Sequence, residues 1–411
     1  MRILHSSDWH LGQHFMGKTR QAEHQAFMAW LIEQVQVHGV DALIIAGDIF
    51  DTSAPPSYAR ELYNGFVVAL RGSGCELVVL GGNHDSVAML GESRSLLAHL
   101  DTRVIPGVGA DLAEQLLVLH TRDGQSGAKQ PGAILCAVPF IRPRDVLHSQ
   151  AGQSAEHKQL SLQQAIQQHY HDLYALAQLK CAELGGQLPI IATGHLTTVG
   201  ASASESVREI YVGALEAFPT SAFPPAAYIA LGHIHKPQKV GGLEHIRYCG
   251  SPIALSFDEA TQQKEVLLVE LDASGLQQIT ALPVPCFQPL RSVRGSLPEL
   301  QVAISAAAQA GTAQQPVWLE VLVSTDDYLS DLQLRIAALC ADLPVEVLRL
   351  RRERGTAQAS LQASAKETLD ELSTDEVFAQ RLGDEALDAD LQLSLQGLYR
   401  QVVGELREAD A

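Results

Sequence analysis

The chain has 411 residues, 46% of them hydrophobic and 18% charged, with 29 lysines and arginines against 47 aspartates and glutamates for a net charge of −18. The apolar share excludes a disordered chain despite that acidity, and the composition excludes collagen-like, low-complexity and disulfide-scaffold classes. At roughly 150 residues per domain the length predicts two or three domains with a large buried core. No apolar run approaches the ~18 residues of a membrane span, and Asp8 and His10 interrupt the opening MRILHSSDWH before a signal-peptide core forms. A soluble, cytoplasmic protein without a membrane partner is predicted. Six cysteines with no C-x-x-C pair predict free, mostly buried thiols rather than a thiolate metal site.

In chain order, residues 2–5 predict a short strand ended by Ser6-Ser7-Asp8, and residues 19–38 a helix with Phe27, Leu31 and Val35 four apart. Residues 41–46 form an unbroken apolar strand stopped by Gly47-Asp48. A helix over 57–70 follows Pro55-Pro56, and a strand over 76–80 ends at Gly81-Gly82. Strands without polar alternation, separated by helices, predict an α/β fold with a largely parallel sheet buried on both faces. Further strands are predicted at 133–139, 189–193, 228–231, 247–249 and 265–271, with a long helix at 160–184. The polar stretches 101–131 and 148–158 read as loops.

Three prolines near 283–289 predict a boundary, giving a first domain over 1–282 and a small α+β domain over 283–355. The latter pairs helices at 300–310 and 328–339 with strands at 317–323 and 345–350. Residues 356–411 read as a linker followed by helices, with twelve acidic and four basic side chains. Ser373-x-x-Glu376 predicts a capping box, and Leu391, Leu395, Leu398, Val402 and Leu406 form one apolar stripe. Just before this tail, Arg349, Arg351, Arg352 and Arg354 make a basic cluster that suits a nucleic-acid backbone or simply a solvated strand end.

The chemistry gathers at five strand ends: Asp8-x-His10, Gly47-Asp48, Gly82-Asn83-His84-Asp85, Gly194-His195 and Gly232-His233-x-His235. Any one Gly-Asp or Gly-His is most often a turn. Five together are different, because the carboxyl ends of strands in such sheets share one edge. Seven donors, Asp8, His10, Asp48, Asn83, His195, His233 and His235, exceed what one tetrahedral ion uses. They predict two divalent ions joined by a shared carboxylate, and the lack of thiolates suits Mn, Fe, Zn or Ni.

The order D-x-H, GD-x-x-D, GNHD, GH, GH-x-H resembles the calcineurin-like metallophosphoesterase superfamily. It departs from the phosphoprotein phosphatases, whose third motif reads GNHE. The surrounding segments SDWHLGQ, DTSAPPSYAREL, GHLTTVGA, YIALGHIHKPQ and RYCGSPIALSFDE resemble the SbcD family of bacterial nuclease subunits over essentially the whole chain. That resemblance implies two stacked sheets flanked by helices, a small α+β capping domain and a C-terminal helical tail. It implies a metal-dependent DNA endo/exonuclease acting on ends and hairpins in repair, recombination and replication, with Mn²⁺ as the most suitable ion. It also implies a homodimer within a heterotetramer with the ATPase SbcC, docked on the base of that partner's coiled coil. Carried over by residue, one ion belongs to Asp8, His10, Asp48 and His235, and the other to Asp48, Asn83, His195 and His233. His84 then acts on the scissile phosphate or leaving oxygen, and Asp85 orients a histidine or stabilises its own turn. The alternatives are a nucleotide or cyclic-nucleotide phosphodiesterase using the same two ions, and an adaptor without chemistry.

Overall fold

The protein is described by a computed structural model covering residues 1–122, 129–147, 155–208, 210, 217–324 and 332–352, with six isolated positions between 382 and 399. Two six-stranded sheets stack face to face. In the first the order is Gly275–Pro283, Glu265–Asp272, Arg2–Ser6, Ala42–Ile45, Glu76–Leu80, Thr102–Ile105, the last four running parallel. In the second it is Gln238–Val240, Leu243–Tyr248, Tyr228–Gly232, Ile190–His195, Lys129–Cys136, Leu116–Arg122, with a parallel centre and antiparallel edges.

Strand periodicity explains the layering, since neighbouring residues point to opposite faces. Ile3, Ala42, Ile44, Val78 and Leu80 meet Ala133, Leu135, Ile191 and Ala230 between the sheets. Their neighbours Leu4, Leu43, Ile45, Leu77 and Val79 face outward onto Phe27, Leu31, Tyr63 and Phe66 of helices Gln21–Val37 and Ser57–Arg71. On the far side Ile134, Cys136, Ala192 and Ile229 pack on Leu162, Ile166, Tyr170 and Leu173 of helix Ala155–Glu183. Burial on both faces is why these strands carry no polar alternation.

Two expectations are corrected. Residues 101–131 are not loop alone: they contain Thr102–Ile105, Leu116–Arg122 and the start of Lys129–Cys136. Both edge strands escape the pattern for different reasons: Gly275–Pro283 carries exposed glutamines of the kind that suit an edge, whereas Leu116–Arg122 opens on the apolar run Leu116-Leu117-Val118-Leu119 and is hidden only by the polar residues on either side of it. The long helix likewise begins at Ala155, inside the stretch read as loop; residues 148–154 lie outside the described ones.

Leu290–Gly295, Val317–Val323 and Val345–Arg352 form a separate three-stranded parallel sheet covered by helices Leu297–Ala308 and Leu332–Cys340. Its own core contains Leu300, Ile304, Val317, Leu319 and Val321. It joins the main body through Phe15, Phe257, Leu290 and Trp318. The Arg20 guanidinium lies 5.1 Å from the Phe15 ring and 5.6 Å from Trp318, while Glu23, Gln13 Oε1 and Ala254 O accept its hydrogen bonds. The predicted linker, Ser373, Glu376, Val402 and Leu406 lie outside the described residues. Of the apolar stripe, Leu391, Leu395 and Leu398 are helical positions. Among the described residues no helix is long and apolar enough to cross a membrane, and the six cysteines are free, four of them buried.

His5 and His24, which have no motif context in the sequence, are fully buried. His5 Nδ1 lies 2.8 Å from the Tyr228 hydroxyl, and His24 Nε2 donates to the Trp9 carbonyl at 2.7 Å. Burial drives both rings down to about 3. Unfolded, each titrates near an ordinary value of about 6.5. Between these limits the unfolded chain binds more protons, so stability rises with pH. Asp85, pushed up to about 6 by burial and the Asp48 charge, opposes this with one proton in the lower part of the window. His10 and His195, raised against burial by the carboxylates beside them, and Glu265, raised by burial, oppose it too. Burial also lowers His84, His169, His233 and His245, and these with His5 and His24 make six lowered histidines against four raised groups. The unfolding free energy of chelator-treated protein is therefore expected to fall between pH 7 and pH 5, by at most about 1.4 kcal/mol per pH unit for each net proton, and the urea midpoint with it. Equal midpoints would contradict neutral burial of these rings.

Candidate metal centre

All five motif-bearing strand ends converge at one edge of the stacked sheets. The turns after Arg2–Ser6 and Ala42–Ile45 zip together, Asp8 N donating to Gly47 O at 3.0 Å and His10 N to Asp48 O at 3.1 Å. Asp8 Oδ1 accepts from His233 N at 2.9 Å across the two sheets, and Asp48 Oδ1 accepts from His84 N at 2.9 Å. Four residues here hold left-handed backbone: Asp8 at φ 55°, His10 at 49°, Asp48 at 51° and His233 at 94°. Each costs on the order of 1–3 kcal/mol, which the surrounding packing must offset. Gly47 (φ 97°) also needs its missing side chain, because a Cβ there would stand 2.2 Å from His195 Nδ1.

Donor atoms of Asp8, His10 and His235 lie within 4.8 Å of one another, as do those of Asp48, His195 and His233, and of His10, Asp48 and His84. Asn83 Oδ1 is 2.9 Å from His195 Nε2 and 3.1 Å from His233 Nδ1. The structure thus brings all seven sequence-derived donors and His84 into one cluster, with Asp48 between two groups. A nitrogen of several rings is committed outward: His195 Nδ1 to Ala46 O at 2.9 Å, His84 Nδ1 to Asp51 O at 2.6 Å, His10 Nδ1 to Asp51 Oδ1 at 3.1 Å. Carbonyl oxygens only accept, so His195 and His84 carry a proton on Nδ1 and present Nε2. The Nε2 atoms of His10 and His233 are buried without a hydrogen-bond partner. An orphaned buried nitrogen is costly, and His10 Nε2, 3.6 Å from Asp48 Oδ2, fits a divalent cation, as does the Nδ1 edge that His233 turns toward Asn83. The resemblance to calcineurin-like phosphoesterases implies a dimetal site, and this donor set suits it.

The electrostatics agree. Burial works against charge on Asp48, yet the His195 charge and hydrogen bond, with His10, hold it well below the carboxylate range. Burial likewise opposes charge on His195, but Asp48 outweighs it and lifts the ring to about 9. His10 is raised too, burial being overcome by its Asp51 hydrogen bond and the charges of Asp48, Asp8 and Asp51. This field demands positive charge, and metal entry displaces the protons that otherwise supply it.

Asp85 takes a different part from orienting a histidine. Its carboxylate accepts from the backbone N–H groups of Ile49, Phe50 and Gly82 at 3.1, 3.0 and 2.8 Å, clamping the Asp48 and Asn83 turns together. The residue orienting a histidine is Asp51, the second Asp of GD-x-x-D. A cleft of about 310 Å³ opens over the cluster, lined by His10, Asp51, His84, Arg208, His235 and Arg349 among others. Arg349 pairs with Glu320 at 3.2 Å. Arg351 and Arg352 are exposed at the strand end, and Arg354 lies outside the described residues.

Gly82 tests how tightly Asp48 is held. A Cβ at this position would stand 2.1 Å from Asp48 Oδ1 and 2.3 Å from its backbone N. Gly82→Ala is expected to weaken divalent-metal binding by roughly 10–100-fold in a calorimetric titration. Wild-type affinity would mean that this close approach does not set the Asp48 carboxylate.

The same arrangement of motifs recurs in known proteins. A calcineurin-like phosphoesterase family model matches residues 1–237, and a model described as a type 5 capsule protein repressor C-terminal domain matches residues 286–386. The SbcD subunit of the SbcCD nuclease of Escherichia coli (strain K12) is 53% identical over 400 residues, 97% of this chain and 97% of its own. The protein of that name from Rhodobacter capsulatus is 34% identical over 84% of this chain and 88% of its own, and that of Bacillus subtilis 32% over 66% of each. Such likeness, spread over nearly the full length, makes this chain a member of the calcineurin-like phosphoesterase superfamily and, within it, of the SbcD family.

Proposed function

We propose that the chain is the nuclease subunit of a DNA end- and hairpin-processing complex, hydrolysing phosphodiesters with two divalent ions, Mn²⁺ the best suited. The observation that carries this is the Asp48 carboxylate set between two buried donor groups, with the orphaned His10 Nε2 3.6 Å from its Oδ2. The relatives' name, as the SbcD subunit of the SbcCD nuclease, supports DNA over a small nucleotide as substrate. In this reading Asp8, His10, Asp48 and His235 hold one ion, and Asp48, Asn83, His195 and His233 the other. When bound, such a pair polarises phosphate oxygens and makes hydroxide available near neutral pH.

The chain's own residues do the rest. Asp51 fixes the His84 ring through Nδ1, leaving Nε2 for the substrate. Burial lowers the His84 pKa against the raising effect of Asp48, and an arriving phosphodiester anion raises it again. Protonated at Nε2, His84 then gives that proton to the leaving sugar oxygen, a contribution of roughly 10²–10⁴-fold. Asp85 keeps the two turns in register. Arg208 and Arg349 on the cleft wall offer positive charge to the DNA backbone in a chain that is otherwise acidic, and Arg351, Arg352 and Arg354 extend it.

The domain division is 1–282 for catalysis, 283–355 for capping and 356–411 for docking on the coiled-coil base of an SbcC-type ATPase, as a dimer within a heterotetramer. The decisive experiment is purification alone and with that ATPase, followed by hairpin and bis-p-nitrophenyl phosphate cleavage with and without Mn²⁺ and ATP. Activity on the small ester but never on a hairpin would remove the DNA assignment.

His84→Gln is expected to keep both metals, read by mass spectrometry, while losing at least about 10²-fold in cleavage. Asp48→Ala should lose more metal than His10→Ala, because one carboxylate serves both groups. Wild-type turnover in the first, or two retained metals in the second, contradicts the roles. Deleting residues 366–411 should abolish co-purification with the ATPase and preserve Mn²⁺-dependent cleavage of the small ester; retained binding assigns docking elsewhere.

A further inference from the structure

Behind His235 lies a buried hub that the reaction described above does not use. Glu259, fully buried, sits in the RYCGSPIALSFDE segment. Its Oε2 accepts from Lys264 Nζ at 2.6 Å, Leu255 N at 3.1 Å and Ser251 Oγ at 3.3 Å. Its Oε1 accepts from Ser204 Oγ at 2.7 Å and from Ser206 Oγ. Ser206 Oγ in turn lies 2.6 Å from His235 Nδ1, nearer than Glu259 Oε1 itself, which stands 3.4 Å from that nitrogen.

Proton counting fixes the direction of this relay. A hydroxyl has one hydrogen, and the carboxylate, with no proton of its own, takes it. Toward His235 the Ser206 oxygen is then an acceptor, so Nδ1 carries the ring proton and Nε2 is left bare toward Asp8 and His10. The backbone of the same histidine is held as well, its carbonyl accepting from Lys264 Nζ at 3.0 Å and Ser251 N at 3.1 Å.

Ser204 and Ser206 belong to the segment that follows the His195 strand and roofs the cleft. Glu205, Ser206 and Arg208 line that cleft together with His84 and Asp51. Glu205 N donates to Asp258 Oδ2 at 3.1 Å, tying the segment to the same SFDE turn. Arg208 is exposed, and its charge is felt by both Asp51 and His84.

We propose that Glu259 is a positioning residue that acts through Ser206, locking His235 in the tautomer a cation needs and pinning the 202–208 segment, with Arg208, over the phosphodiester. The proposal rests on the two-metal reading of the site. It makes roof and ligand one unit: the segment cannot lift without releasing the proton acceptor of His235. An outward acceptor of this kind typically contributes about 10–100-fold to metal affinity.

The test uses the full chain, stripped with chelator, and Mn²⁺ alone as calorimetric probe, alongside thermal unfolding and bis-p-nitrophenyl phosphate hydrolysis against Mn²⁺ concentration. Wild type is expected to take up two ions. Ser206→Ala should unfold within a few degrees of wild type, yet bind its weaker ion about 10–100-fold less tightly and recover hydrolysis at high Mn²⁺. Ser206→Thr, which keeps the hydroxyl, should restore affinity. Glu259→Gln should match Ser206→Ala; because it strands Lys264 and can unfold the chain, the serine variants decide. A Ser206→Ala isotherm superimposed on wild type, or a lower unfolding temperature with unchanged affinity, overturns the proposal while leaving the two-metal reading intact. A wild-type chain that takes up no Mn²⁺ overturns both.

Discussion

A single buried carboxylate organises this molecule. Asp48 sits where two sheets meet, at 1% exposure, with His195 Nε2 3.2 Å and His10 Nε2 3.6 Å from its Oδ2. Its other oxygen holds the backbone of His84. A lone ionised carboxylate in such a place would be costly, so everything around it supplies positive charge or hydrogen-bond donors. The left-handed turns at Asp8, His10 and Asp48, and the side-chain-free approach at Gly47, exist to bring those groups within reach.

The division of labour among acidic residues follows from burial and partners. Asp48 and Asp8 face inward. Asp85, only two residues after Asn83, is spent wholly on three backbone amides. Its pKa is raised by burial and by Asp48, with the amides pulling it back. Asp51 is partly exposed and splits its work, its side chain on His10 and its carbonyl on His84. One turn therefore sets two imidazoles of different function.

Much of this is legible in the sequence, for a physical reason. Strands buried on both faces read as unbroken apolar runs, so residues 41–46 and 76–80 stand out, and whatever polar group ends them is conspicuous. The convergence of Asp8, Asp48, Asn83, His195 and His233 follows from parallel strands sharing an edge. An edge strand such as Gly275–Pro283 is not legible, because one face in water lets it carry polar residues such as Gln277 and Gln278, while the apolar run Leu116–Leu119 is submerged in the polar stretch around it. Nor is the part played by Glu259, 24 residues beyond His235 and connected to it through Ser206 from a third segment. Asp85 misleads because its neighbours in the chain are site residues while its partners are amides from the Asp48 turn. Local spacing names the donors; it says nothing of which remote groups hold them.

The N-terminal strand has a consequence for how the chain is made. Arg2–Ser6 pairs on one side with Ala42–Ile45 and on the other with Glu265–Asp272, and the terminal amine donates to Leu271 O, 270 residues away. Asp8 meets His233 across 225 residues. Contacts of such sequence separation form slowly, since the loop entropy is lost before they are made. During synthesis, at roughly 5–20 residues per second, the first strand waits with one edge open until the ribosome has released residue 272. No shorter nascent chain closes the sheet, and none shorter than 235 residues holds the whole donor set. The site is thus assembled late, from segments that only a nearly whole main body brings together.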